Sequence, residues 1–110
     1  MNCLFCRIIN GEAPANIIYQ DQDVIAFDDI YPKVPEHKLI VPRKHIATIN
    51  DLSAEDMDLM GKMTLVAQKL AKDLNIAESG YRIVINCNKD GGQMVYHLHM
   101  HLLGGIPIPW

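Results

Sequence analysis

The sequence predicts one α+β domain built around an antiparallel sheet. Three observations support this prediction: several short β-prone runs, one long helical pattern in the middle of the chain, and short connections between them. The chain has 110 residues, which is enough for one hydrophobic core and too few for two. Its composition, 49% hydrophobic and 21% charged, is typical of a globular protein. We therefore expect residues 1–110 to form a single domain.

The N-terminal part predicts a short helix followed by a hairpin. Leu4 to Asn10 has apolar residues at helical spacing, and Gly11 and Pro14 then stop the helix. Two β-prone runs, Asn16 to Tyr19 and Val24 to Phe27, flank a polar turn and predict a pair of strands.

The middle of the chain predicts a loop, a strand and the long helix. Asp28 to Glu36 contains two prolines and predicts a loop, and His37 to Val41 predicts a strand that Pro42 ends. We expect the long helix from about Ser53 to Leu74, with Ser53 and Asp56 in a capping-box arrangement. Its apolar positions favour ordinary core packing over a methionine-rich binding groove. They are Met57, Met60, Met63, Ala67, Leu70 and Leu74.

The C-terminal part predicts two more strands. Tyr81 to Asn86 is rich in branched residues and predicts a strand, and Asn88 to Gly92 predicts a turn. The last strand is expected over His97 to Leu103, and Gly104 and Gly105 end it.

The last strand carries three of the five histidines at i, i+2 and i+4 spacing. Because side chains alternate between the faces of a strand, His97, His99 and His101 are expected on one face, roughly 6.6 Å apart. The apolar residues between them would face a core. Each imidazole needs hydrogen-bond partners, so such a row is costly as plain structure and predicts a chemical site. A metal site and nucleophilic catalysis by the central His99 are the two interpretations.

Composition excludes some functions. The net charge of −3 argues against a nucleic-acid binder with a general basic surface. No stretch approaches a membrane span, and the N-terminus lacks the pattern of a signal peptide. The odd count of three cysteines favours a reducing compartment, so we expect a cytoplasmic protein.

Two glycines precede the histidine row. Gly91 and Gly92 allow backbone N–H groups to surround an anion, as in phosphate-binding loops, although a hairpin turn explains them equally well. Their position just before the imidazoles favours the phosphate interpretation.

The stretch His97-Leu98-His99-Met100-His101-Leu102-Leu103 resembles the signature of the histidine triad (HIT) family. Other blocks resemble family segments in the same order over nearly the whole chain. They are Phe5 to Ile9, Phe27 to Ile30, His37 to His45, and Gly91 to Gln93. The ending Leu102-Leu103-Gly104-Gly105 resembles that of the Hint branch, the histidine triad nucleotide-binding proteins.

This resemblance implies a HIT-like fold, in which a five-stranded antiparallel sheet carries one long and one short helix. It implies that two such sheets join across a homodimer. It also implies an enzyme that cleaves purine nucleoside 5′-phosphoramidates, with His99 attacking the α-phosphorus to form a nucleotidyl-histidine. Water would then release the nucleoside monophosphate. A dinucleoside polyphosphate hydrolase and a nucleotide-binding interaction protein with incidental turnover are the alternatives.

The resemblance also assigns supporting roles around His99. His97, His101 and His37 would be the supporting imidazoles. Gln93, with Gly92 in the same loop, and the backbone near Val95 would hold phosphate oxygens.

The sugar and the base are expected next to that loop. Asp29 would accept the ribose hydroxyls, and Asn86 would line the phosphate and sugar region. The base pocket would be apolar, although simple core packing is the alternative for each of its residues. These residues are Phe5, Ile8, Phe27 and Ile30.

Two features vary within the family. Some related proteins pair a Cys-x-x-Cys motif with two histidines, which implies a structural zinc site here at Cys3, Cys6, His45 and His97. Two unliganded thiols on a terminal helix are the alternative. Met94 stands where some Hint proteins carry a serine that assists the leaving group, and a thioether cannot donate a proton.

The last residue is a tryptophan at the end of a proline-rich tail. Trp110 lies nine residues after His101, the offset at which Hint proteins place a tryptophan beside the leaving group in the partner protomer's cleft. The resemblance therefore implies a contact across the dimer, with a frayed terminus as the alternative.

Overall fold

The computed structural model describes residues 3–110 and has the predicted α+β architecture. The elements, in chain order, are α1 (Leu4–Ile9), β1 (Ile17–Gln20), β2 (Val24–Asp28), β3 (Glu36–Pro42), α2 (Met57–Asp73), β4 (Tyr81–Val84) and β5 (Met100–Gly104). Short 3₁₀ turns at Ile49–Asp51 and Ala54–Asp56 precede α2. The five strands form one antiparallel sheet in the order β1-β2-β3-β5-β4, so β5 lies beside β3 at the centre and β4 is an outer strand.

One face of the sheet packs against α2. Met100 and Leu102 of β5 point to this face, which explains why His101 between them points to the other. We call this cluster the α2 core. Its buried members are Val24, Ala26, Ile40, Met63, Val66, Ala67, Leu70, Met100 and Leu102.

The other face of the sheet packs against α1. A second buried cluster, the α1 core, joins this helix to β2 and β3. It consists of Cys3, Phe5, Ile8, Ile25, Phe27, Leu39 and Val41. The histidine row and the short N-terminal helix therefore share one side of the sheet.

The predicted boundaries of β5 and α2 differ from those observed. The ladder of β5 begins at Met100 and not at His97. Since Ile40 pairs with Met100, continuing the register would set Leu98 opposite Pro42, which has no N–H to donate. The Leu98 N–H donates instead to the Ile46 carbonyl at 2.6 Å.

The long helix begins four residues later than Ser53 because its first turn is a 3₁₀ turn, a common start for an α-helix. The predicted capping pair is present, since the Asp56 carboxylate accepts the Ser53 N–H at 3.0 Å. Met63 is fully buried in the α2 core as ordinary packing predicts, whereas Met57 is exposed. No helix in the described part of the chain is both long and apolar enough to cross a membrane.

Candidate active site

The three histidines lie in an extended segment beside α1. His97 and His99 are buried, and His101 is partly buried. The rings of His99 and His101 are neighbours, with centroids 4.9 Å apart. The Phe5 ring meets the His99 ring edge-on, with centroids 5.0 Å apart, so α1 holds the central imidazole from one side.

His99 is held in one tautomer. Its Nδ1 lies 2.8 Å from the main-chain carbonyl oxygen of His97. A carbonyl can only accept, so Nδ1 carries the proton and Nε2 has a free lone pair. Burial lowers the pKa of His99, which keeps the ring neutral at pH 7. A neutral imidazole with a lone pair on Nε2 is the form required of a nucleophile.

His101 connects this ring to His37 and Asp29. The Nε2 atom of His37 lies 2.9 Å from Nδ1 of His101 and 3.3 Å from Oδ2 of Asp29. Burial, with smaller contributions from His99 and His37, lowers the pKa of His101 to about 4. The pKa of His37 is also lowered, chiefly by burial. His101, which adjoins His99, and His37, which adjoins His101, are therefore both neutral imidazoles at pH 7.

Asp29 has capacity left for a ligand. Its Oδ1 accepts the Tyr31 N–H at 2.8 Å within the loop between β2 and β3. A carboxylate offers about four lone-pair positions, so two remain for hydroxyl donors. The side chain is 18% exposed, which leaves the group accessible.

A second cluster contains Cys3, Cys6, His45 and His97, whose potential ligand atoms all lie within 4.8 Å of one another. The Nδ1 atoms of the two histidines are 3.2 Å apart. Nδ1 of His97 is 3.4 Å from Cys3 Sγ and 3.6 Å from Cys6 Sγ, and Nδ1 of His45 is 3.4 Å from Cys6 Sγ. The structure therefore brings together the four residues that the resemblance implies as a metal site.

His97 has the orientation of a metal ligand in this cluster. Its Nε2 donates to the Pro42 carbonyl at 2.7 Å, which leaves the Nδ1 lone pair directed at the thiols. A tetrahedral zinc at ordinary Zn–S and Zn–N lengths sets its ligand atoms roughly 3.3 to 3.8 Å apart, close to the distances above. Burial raises the pKa of the Cys6 thiol, and the neighbouring Cys3 thiol adds to this. A cation is what allows two thiols so placed to ionise together. The residues present fit a zinc ion.

Gln93, which the resemblance implies as a phosphate ligand, makes hydrogen bonds within its own chain in this structure. Its side chain is buried, and its Nε2 donates to the carbonyl oxygens of Ala47 at 2.8 Å and Val95 at 3.1 Å. Its own N–H donates to the Asn88 carbonyl at 3.0 Å, and its Oε1 accepts the Asn88 N–H at 2.8 Å. With every donor in use, Gln93 shapes the loop and has none to offer a phosphate. Among the described residues, no main-chain bond uses the Val95 N–H.

The glycines of this loop are required by its shape. A Cβ at Gly91 would lie 2.4 Å from the Cys87 carbonyl oxygen, and Gly92 has φ +83°, a conformation that disfavours other residues. The Asn86 amide donates to the Gly91 carbonyl at 2.7 Å and thereby closes the turn. Asn86 thus borders the loop through a contact that stabilises it.

The four expected base-pocket residues divide into two groups. Phe5, Ile8 and Phe27 are buried in the α1 core, and the Phe5 and Phe27 rings meet edge-on with centroids 5.4 Å apart. Ile30 is 75% exposed in the loop after β2, which rules out core packing within the protomer for this residue.

The C-terminal tail is tied to β4. The Arg82 guanidinium donates to the Pro109 carbonyl at 3.0 Å and to the Ile108 carbonyl at 3.2 Å. The same guanidinium lies 5.9 Å from the centre of the Trp110 ring, which is otherwise fully exposed. The tail is therefore held along the outer strand of the sheet and is not frayed up to Pro109.

Sequence reasoning missed several groups at the site because they act through the main chain. The Pro42 carbonyl orients His97, the Ala47 carbonyl anchors Gln93, and the Lys33 N–H donates to Nδ1 of His37 at 3.1 Å. Any residue type supplies a main-chain carbonyl, so no side-chain pattern marks these positions.

The fold and the row of oriented imidazoles define a histidine triad protein. The family model for the HIT domain matches residues 10–107, and the chain belongs to this family.

Individual relatives are close. The chain is 52% identical over 105 residues to the purine nucleoside phosphoramidase of Escherichia coli K12, covering 96% of this chain and 88% of that protein. It is similar to a HIT family hydrolase from Legionella pneumophila, with a TM-score of 0.98 and 50% identity over 99% of this chain and 97% of the other. It also resembles the histidine triad nucleotide-binding protein of Candida albicans, with a TM-score of 0.86 and 30% identity over 99% of this chain and 82% of the other.

Proposed function

We propose that the protein is an enzyme that hydrolyses the P–N bond of purine nucleoside 5′-phosphoramidates. The observation that carries this proposal is the buried, neutral His99 with its proton fixed on Nδ1 and its Nε2 lone pair free. The substrate class follows from the similarity to the E. coli purine nucleoside phosphoramidase.

The reaction proceeds in two steps. Nε2 of His99 attacks the α-phosphorus, the P–N bond breaks, and the amine nitrogen takes up a proton from solvent as it leaves. The resulting nucleotidyl-imidazolium is stabilised because its Nδ1–H donates to the His97 carbonyl. Water then attacks the same phosphorus, releasing the nucleoside monophosphate and returning His99 to its starting form. A covalent intermediate replaces one difficult displacement with two easier ones.

His101 and His37 support this chemistry as neutral imidazoles. His101 is adjacent to His99, and its lowered pKa means that it interacts with the phosphoryl group as a neutral hydrogen-bond donor. Met94 is exposed and cannot donate a proton, so it does not protonate the leaving amine.

The nucleotide is held by groups around this centre. The carboxylate of Asp29 accepts the ribose hydroxyls, and the free Val95 N–H binds a phosphate oxygen beside Gly92. The purine packs on the exposed Ile30, since Phe5, Ile8 and Phe27 are already buried in the α1 core. The negative charge of −3 is consistent with this, since local donors and not a basic surface would bind the anion.

A zinc ion would be held by Cys3, Cys6, His45 and His97, and its role would be structural. Four protein ligands leave no open position for a substrate, which is the pattern of structural zinc. Thiolate ligands require a reducing compartment, so we place the protein in the cytoplasm.

The active unit is a homodimer in which the two sheets join. The outer strand β4 offers an unpaired edge, and the tail anchored on it by Arg82 would lie next to a partner sheet added there. Trp110 would then be placed beside the partner protomer's leaving-group site.

Comparison of two substrates tests this proposal. We expect kcat/KM for an adenosine 5′-phosphoramidate to exceed that for a diadenosine polyphosphate by at least about tenfold, or ~1.4 kcal/mol of transition-state stabilisation. The reverse order would identify a dinucleoside polyphosphate hydrolase. Negligible turnover of both, with retained binding of adenosine monophosphate, would identify a nucleotide-binding interaction protein.

A further inference from the structure

The loop between β2 and β3 places one main-chain donor on a buried ring. The Lys33 N–H donates to Nδ1 of His37 at 3.1 Å. Because an amide N–H can only donate, Nδ1 must carry a lone pair. A neutral imidazole in this setting has its proton on Nε2. An imidazolium at His37 would set two N–H groups against each other, so the contact also disfavours the charged ring.

The tautomer of His37 determines that of His101. Nε2 of His37 lies 2.9 Å from Nδ1 of His101, with Oδ2 of Asp29 at the longer distance of 3.3 Å. Since His37 Nε2 carries the proton, it donates, and Nδ1 of His101 must accept. A neutral His101 therefore carries its own proton on Nε2.

The neighbouring ring has the opposite arrangement. His99 has its proton on Nδ1 because the His97 carbonyl accepts it at 2.8 Å. The rings of His99 and His101 are adjacent, with centroids 4.9 Å apart. The site thus has a lone pair on Nε2 of His99 and a proton on Nε2 of the neighbouring His101.

We propose that the main-chain N–H of Lys33 is a positioning group that fixes the tautomers of both His37 and His101, so that His101 presents Nε2–H beside the nucleophile. This rests on the proposed function, in which the Nε2–H of His101 faces a phosphoryl oxygen or the leaving amine. His101 does not need to be positively charged for this role, because the Lys33 N–H, acting through His37, keeps the His101 proton on Nε2. The Nε2–H of His101 would donate a hydrogen bond to the leaving group, which Met94 cannot do.

The loop is held so that this donor stays in place. The Asp29 N–H donates to the His37 carbonyl at 3.1 Å, and Asp29 Oδ1 accepts the Tyr31 N–H at 2.8 Å. These contacts fix the loop to the start of β3 on the side where Lys33 meets the ring.

The same geometry argues against a metal ion at this place. Ligand atoms of Asp29, His37 and His101 lie within 4.8 Å of one another, as in a three-ligand metal site. A metal on Nε2 of His37 would displace the proton from that nitrogen. The displaced proton could not move to Nδ1, where the Lys33 N–H already donates. The cluster is therefore a hydrogen-bonded relay.

Nitrogen NMR of ¹⁵N-labelled histidine side chains tests the proposal on the protein without substrate. We expect His37 and His101 to be protonated on Nε2 alone and His99 on Nδ1 alone at pH 7. A mixture of tautomers or an Nδ1 proton on His37 or His101 would overturn the proposal. This result is independent of turnover, so it can fail while the phosphoramidase proposal stands.

Substitution of Lys33 separates the N–H from the side chain. Lys33→Pro removes the donor, whereas the control Lys33→Ala keeps it and, like the proline variant, removes the charged end of the side chain. We expect a tautomer mixture at His37 and His101 in Lys33→Pro, the parent spectrum in Lys33→Ala, and a kcat about tenfold lower in Lys33→Pro with little change in KM. Parent-like tautomers in a folded Lys33→Pro would overturn the proposal. If that variant does not fold, the tautomers measured in the parent protein test the proposal by themselves.

Discussion

At the scale of single residues, the chemistry of the site depends on which nitrogen of each imidazole carries a proton. The sequence predicts that His97, His99 and His101 share a face, and they do. It does not predict the partners of each ring, because those are carbonyl and N–H groups of the main chain. The side-chain pattern therefore predicts the nucleophile but not the main-chain groups that fix its tautomer.

Gln93 is a second residue whose hydrogen-bond partners the sequence does not predict. Its place next to two glycines favours a phosphate ligand, yet its buried amide joins the loop to Ala47 and Val95. A long-range contact of this kind depends on how the segment after β3 folds over the loop, which local sequence does not report. The type of loop was predictable, and the role of its glutamine was not.

The buried histidines predict a stability that depends on pH. The pKa of His101 is lowered from 6.5 to about 4 in the folded protein, chiefly by burial. Between these values the unfolded chain binds a proton on His101 that the folded protein does not, so the free energy of unfolding decreases as pH falls below 6.5. Above pH 6.5, His101 is neutral in both states and the full stability is retained. We expect the free energy of unfolding, measured with urea from pH 7.5 to 4.5, to decrease less steeply in His101→Asn than in the parent. Parallel curves for the two proteins would show that His101 titrates normally.

At the scale of secondary structure elements, the sequence predicts every helix and strand, and the errors lie at their ends. β5 is shorter than predicted because its partner strand ends in Pro42, which cannot extend the ladder. The long helix starts later because a 3₁₀ turn precedes it. Both ends are decided by backbone hydrogen bonding between or before elements, and apolar periodicity carries no information about it.

The short helix α1 joins the sheet through the cysteine and histidine cluster. Its N-terminal residue Cys3 and its first-turn Cys6 face His97 and His45. Six residues form only a marginal helix alone, so the packing of Phe5 and the contacts of Cys3 and Cys6 with the two histidines hold it in place.

This arrangement predicts that zinc stabilises the protein. Protein purified without chelator should contain one zinc per chain, by elemental analysis, and Cys6→Ser should lose it. We expect the melting temperature of Cys6→Ser to fall by at least about 5 °C, since a loss of ~1 kcal/mol shifts a domain of this size by that much. Cys87→Ser is the matched control, because Cys87 lies outside the cluster and should keep both the metal and the melting temperature. Substoichiometric zinc in the parent, or a metal on His99, would contradict the assignment.

At the scale of the whole molecule, the sheet separates the larger hydrophobic core on one face from the candidate active site on the other. The α2 face carries the larger helix and a core whose buried members are all apolar, while the α1 face carries the histidines, Asp29 and the thiols. The alternation of β5 produces this division directly. The resemblance of several blocks to one family also predicts the fold correctly.

The tail provides a test of the proposed homodimer. Deleting Ile108 to Trp110 removes both carbonyls that Arg82 binds, together with the exposed indole. We expect the truncated protein to remain dimeric by analytical ultracentrifugation, and to change its relative kcat/KM for aromatic and aliphatic amine leaving groups more than its preference among purine bases. Unchanged leaving-group discrimination would show that Trp110 has no role at the site of the partner protomer.

The central claim is that His99 becomes covalently attached to the nucleotide. Rapid acid-free quenching of the reaction with an adenosine phosphoramidate, followed by mass spectrometry of the intact protein and its peptides, measures this directly. The account predicts a transient adduct of one adenylyl group on His99. It also predicts that His99→Ala still binds adenosine monophosphate, forms no adduct and loses activity by several orders of magnitude. An adduct on another residue, or a His99→Ala rate within about tenfold of the parent, a difference of only ~1.4 kcal/mol, would contradict it.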